Sequence, residues 1–69
     1  MPLAFASIND TNTILNVGGN IETKHHLENL GFVTGSEVTI INKVNENIIV
    51  SIKNTRVALS KELANKISV

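Results

Sequence analysis
Between Ser36 and Leu59 the chain carries three strand-length runs separated by turns too short for anything but hairpins. Ile48 to Lys53 alternates cleanly, with Ile48, Val50 and Ile52 on one parity and Ile49, Ser51 and Lys53 on the other. Period-two alternation marks a strand buried on one face only. Ser36 to Val44 alternates in part, with Val38, Ile40 and Val44 set against Glu37, Thr39 and Lys43. Asn45-Glu46-Asn47 supplies a polar turn between these two runs. Asn54-Thr55 supplies the next, since Asn tolerates φ > 0 better than any residue except Gly. Arg56 to Leu59 is the third run.

The first half adds one strand and one helix. Thr11 to Val17 is β-branched and ends at the turn Gly18-Gly19, which predicts a single first strand. Asn20 is a suitable N-cap, and Glu22 complements the dipole of the first turn. Ile21, Leu27 and Leu30 form a narrow apolar stripe, predicting a helix of about ten residues. Gly31 stands where a helix takes its left-handed closing residue, and Phe32 then falls in position to pack back on Leu27. Thr34-Gly35 leads into the hairpins. Beyond them, Ser60 caps a single helical turn from Lys61 to Ala64, and Ile67 to Val69 closes as a short strand. The expected fold is mainly β with one short helix: a small SH3-like β-barrel of about five strands, with a helical turn before the last strand. It occupies residues 1–69 as one domain. Closing the sheet protects edges that 69 residues could not otherwise cover, and with no cysteine neither a disulfide nor a thiolate zinc cage assists.

Charge and composition exclude several function classes. Net charge is zero, and Phe5 and Phe32 are the only aromatics, so a phosphate-binding footprint and a base-stacking platform are both missing. Lys43, Lys53, Arg56, Lys61 and Lys66 are balanced by acids, and no nucleic-acid partner is expected. The opening MPLAFASIND has neither a basic start nor a long apolar run, so a cytoplasmic protein without membrane insertion is expected. Gly18-Gly19 lacks the spaced Gly-Lys-[ST] of a phosphate loop and reads as a turn. No nucleophile, base and orienting group can be assembled from two adjacent histidines on a short helix, so no enzyme activity is expected.

Lys24-His25-His26-Leu27-Glu28 invites a metal reading. Adjacent helix residues point about 100° apart, so His25 and His26 do not chelate one ion together. Glu22 can share a face with His25 or with His26, offering two ligands where tight transition-metal sites offer three or four. Glu22, His25 and His26 are thus weak candidates for a divalent contact, and no cofactor is expected. For protein contact the candidates are Phe32 and Val33 beside the barrel loop, with Ile41 and Ile49. The last two face opposite the main core set. Either the helix covers them or they are open to another chain, which would also allow a homo-oligomer.

Leu27-x-x-Leu30-Gly31-Phe32-x-x-Gly35-x-x-Val38 is similar to the FeoA family pattern, in which R-L-x-x-L-G-hydrophobic-x-P-G precedes a strand. Ile48-x-Val50-x-Ile52, Arg56-Val57-Ala58-Leu59, Glu62-x-Ala64 and Ile67-x-Val69 resemble that family's hairpin, its R-hydrophobic-[AS]-L strand and its closing segment. Leu3-Ala4 is like its opening. The chain departs from the pattern at His26 for Arg, Thr34 for Pro and Asn54 for a turn Gly, and it lacks the Pro-Gly before the first strand. The resemblance implies an SH3-like accessory protein of bacterial ferrous iron uptake. Its implied partner is the cytosolic part of a FeoB-type permease, and related domains end the DtxR-type repressors.

Overall fold
Two tight hairpins organise the computed structural model, which describes all of residues 1–69. A 3-10 turn, Leu3–Phe5, precedes strands β1 (Thr11–Thr13) and β2 (Asn16–Val17), then helix α1 (Ile21–Asn29). Strands β3 (Glu37–Val44), β4 (Asn47–Ile52) and β5 (Thr55–Ser60) follow, with the helical turn α2 (Lys61–Ala64) and β6 (Ile67–Ser68) last. The first sheet runs β1-β3-β4-β5, antiparallel throughout; β2 and β6 pair as a second, and Pro2 bridges to Ser68 beside them. Val38, Ile40, Ile48, Val50 and Ile52 line the inner face of the larger sheet, all essentially inaccessible. Ile67, Val17, Leu3 and Leu59 join the same core.

The predicted first strand is broken in two, which gives six short strands. Ile14 donates its N–H to Ser36 O at 2.9 Å, while its neighbour Leu15 donates to Ser68 O at 2.8 Å. The backbone thus changes sheets between consecutive residues, and this corner bends the barrel. Ile14 is buried there and Leu15 is 63% exposed. A run of β-branched residues reads as continuous because nothing in it records which neighbour each residue pairs with.

Val44 also departs from expectation. The β3–β4 register runs Ile40↔Val50 and then Asn42↔Ile49, leaving Ile41 as the extra residue of a β-bulge. A bulge inverts the parity of everything beyond it. Lys43 therefore pairs with the buried Ile48 and reaches Ala4 O with its ammonium at 3.2 Å, whereas Val44 is turned outward and is 44% exposed. The β4–β5 turn is Lys53-Asn54, one residue earlier than predicted, with φ of 50° and 63°. Two positive φ values in a two-residue loop match the right-handed twist of a hairpin.

Helix α1 meets the core through Leu27 alone. Ile21 is 74% and Leu30 37% exposed, so the predicted stripe of three narrows to one residue. What holds the helix is its ends. Asn20 Oδ1 accepts the Thr23 N–H at 2.8 Å. At the other end, Phe32 N–H bonds Leu27 O and Gly31 N–H bonds Glu28 O, both at 3.0 Å, with Gly31 at φ +106°. This pair of bonds is the Schellman closure. An alanine Cβ at Gly31 would meet the Lys53 stem at 3.5 Å and Ile52 Cγ1 at 3.9 Å, both ordinary contacts, so its cost is conformational. Gly31→Ala is expected to destabilise by about 1–2 kcal/mol, read as a lower thermal midpoint with unchanged strand content by circular dichroism. The second cap is also as expected: Ser60 Oγ accepts the Leu63 N–H at 3.2 Å. Gly35 sits at φ +91° in the loop before β3 and donates to Ile14 O at 2.8 Å.

Candidate functional site
No polar or charged residue is buried as a whole, although the amide nitrogen of Asn12 is sealed from water. The predicted residues separate into two groups.

Glu22, His25 and His26 all lie exposed on α1, between the Asn20 cap and the Schellman turn. Glu22 and His25 are one turn apart, as are Glu22 and His26, so either pair can share a face. No three His, Asp or Glu side chains come together anywhere in the fold, so no third ligand joins these pairs. His26 lies in the last turn of the helix.

The apolar candidates divide differently. Phe32 is not open to a partner as expected; it is fully buried, and the Schellman closure that fixes its backbone turns its ring into the core with Leu27. A core ring cannot serve as a docking residue without unfolding the corner. Val33 is half-buried. Ile41, at the bulge, and Ile49, across from Asn42 and Ala58, are half-buried too. Helix α1 does not cover Ile49, because its one buried side chain, Leu27, joins the core with the inward residues of the sheet. Ile49, the exposed Ala58 and the outward-turned Val44 thus give the sheet's outer face an apolar centre among Thr39, Ser51 and Arg56.

Among the exposed apolar side chains that sequence reasoning missed, the most exposed are Phe5 at 72% and Leu15 at 63%. Leu15 had a signal: it follows Ile14 in an extended run, and two adjacent strand residues cannot both face the core. Phe5 had none, since the 3-10 turn that carries it follows no periodicity. No helix of the chain is long and apolar enough to cross a membrane.

The architecture has known counterparts. No curated protein matches the sequence. Among solved structures, FeoA of Stenotrophomonas maltophilia is 28% identical, covers 100% of this chain and 88% of its own, and superposes with a TM-score of 0.89. That protein was solved with zinc and is described as an SH3 domain protein and a candidate activating factor of ferrous iron transport. Iron(II) transport protein A of Clostridium thermocellum is 25% identical with a TM-score of 0.91, over 99% of this chain and 43% of that longer one. T. acidophilum IdeR shares the fold over 97% of this chain and 32% of its own, at 16% identity and a TM-score of 0.85. The barrel is therefore SH3-like, and a FeoA domain model matches residues 1–69 from end to end. The chain belongs to the FeoA domain family.

Proposed function
We propose that the chain is a non-catalytic protein-interaction module of bacterial ferrous iron uptake, acting in the cytoplasm on the cytosolic part of a FeoB-type permease. The full-length family match carries this reading, because it brings the whole chain into a family whose S. maltophilia member is described as a candidate transport-activating factor. The outer face of the sheet supports it, with Ile49, Ala58 and Val44 offering a small apolar centre within a polar rim, the composition of a modest interface. Chemistry on nucleotide or metal then belongs to the partner. The test is capture of a purified G-protein domain of such a permease by this chain, followed by Ile49→Asp. Capture by the parent and loss in the variant are expected, with the variant still folded by circular dichroism and melting at a lower midpoint, as Asp in a central strand costs about 1 kcal/mol. No capture in either nucleotide state of the G-protein domain would sink the reading.

The zinc in the S. maltophilia structure gives a specific reason to test a metal-responsive alternative through Glu22, His25 and His26. Two exposed ligands on one helix face make a weak site. The double variant His25→Ala, His26→Ala is expected to leave both partner capture and oligomeric state unchanged, with and without added Zn²⁺. A zinc-dependent dimer that the double variant abolishes would establish the alternative.

A further inference from the structure
We propose that the free edge of β5 accepts an extended segment of a protein partner as an additional strand, with an acidic side chain of that segment opposite Arg56. This deepens the reading of the domain as a protein-interaction module and rests on it.

The direction of each β5 backbone group follows from the register. The Lys53-Asn54 loop closes on the pair Ile52↔Thr55, and a two-residue hairpin loop makes its closing pair a hydrogen-bonded one. Alternation then makes Val50↔Val57 and Ile48↔Leu59 hydrogen-bonded pairs as well. The backbone groups of Arg56 and Ala58 must point the other way, off the sheet. Neither residue takes part in any hydrogen bond from a loop, turn or cap. Both are exposed, so no other segment covers them.

The sheet does not close on itself as expected: β5 is left open, while the other edges of the fold are blunted. β1 is only three residues long before the chain turns the corner into the second sheet, and the β2–β6 pair is flanked by the Pro2 bridge. β5 runs six residues in unbroken register with β4, with no bulge and no proline. An unpaired strand of that kind is a template for another strand.

Charge decides which strand it suits. Arg56 projects on the outer face opposite Ser51, and no side-chain hydrogen bond engages its guanidinium. Opposite charges directly across a strand pair attract, and like charges repel. A second copy pairing antiparallel about this residue would set Arg56 against Arg56, whereas Asp or Glu at that position gains a partner. The small Ala58 beside Ile49 leaves room for a β-branched residue two positions along.

The probe is a blocked, fluorescein-labelled peptide, Thr-Val-Glu-Val-Thr-Val, beside its counterpart with Lys for Glu. Binding is read by polarisation and by amide shifts at Arg56 and Ala58. The Glu peptide is expected to bind about fivefold more tightly than the Lys peptide, and Arg56→Glu to invert the order. Ala58→Pro removes an N–H that bonds nothing in the folded chain, so the β4 ladder and the melting midpoint should survive while affinity falls roughly tenfold. The proposal is overturned if neither peptide moves those amides at about 1 mM, if Ala58→Pro leaves binding intact, or if the chain itself dimerises through this edge. The G-protein domain separates the two levels. Capture that survives Ala58→Pro overturns the edge and leaves the module reading standing; peptide binding without capture does the reverse.

Discussion

Phe32→Ala is expected to remove about 3–5 kcal/mol of stability, the range for truncating a fully buried aromatic ring. A chain of 69 residues has roughly 3–10 kcal/mol in total, so the variant should be largely unfolded or close to its midpoint at room temperature. The size of the effect follows from the position. Phe32 is the largest buried side chain, with no accessible surface, and its backbone is tied to Leu27 O by a 3.0 Å bond at the end of α1. Losing the ring opens a cavity against Leu27, the only core residue the helix contributes. Helix and barrel should therefore separate first. Urea unfolding with parallel amide exchange checks this, the α1 amides losing protection before those of β4. Val33→Ala, one residue on and half-buried, is the control and should cost less than about 1.5 kcal/mol. A Phe32→Ala protein that melted like the parent but failed to capture the partner would return the ring to the surface and overturn the core assignment.

What the sequence made legible was whatever is decided within a few residues. Asn20, Ser60 and the Gly31-Phe32 closure act on groups three to five positions away, and each forms the bond its residue type predicts. Ile48, Val50 and Ile52 were readable because one regular strand carries its own parity. The errors arose where a partner strand decides. Ile41 becomes a bulge only in register with Val50 and Ile49, and that register is absent from the β3 sequence. Val44 followed it outward, away from the core set that the parity of Val38 and Ile40 suggested. The corner between Ile14 and Leu15 was hidden for the same reason, since each residue bonds a segment far along the chain. At the candidate site, the resemblance identified the family, but Phe32 was drawn both as a core residue and as a contact. Only the core assignment survives. The β5 edge was not legible at all: a free edge is defined by what does not pair with it, and a sequence run carries no record of that.

Asn12→Leu should raise stability by about 1–3 kcal/mol, a gain for replacing a polar residue in a small domain. Asn12 lies opposite the fully buried Val38 in the β1–β3 register, while its neighbours Thr11 and Thr13 face solvent. Its Nδ2 is sealed from water and has no hydrogen-bond partner. The outer side of β1 is satisfied, Thr11 and Thr39 sharing a hydroxyl hydrogen bond at 2.9 Å, so the deficit is confined to the inward amide. Leucine has nearly the same shape, abolishes the orphan donor and adds apolar contact with Val38. The expected reading is a urea midpoint higher by roughly 1 M or more, with an unchanged slope. Asn12→Asp supplies the opposite sign: it puts a charge where no donor waits, and should destabilise strongly unless the carboxyl stays protonated. If leucine lowers the midpoint instead, the amide is satisfied in solution and the orphan does not exist there.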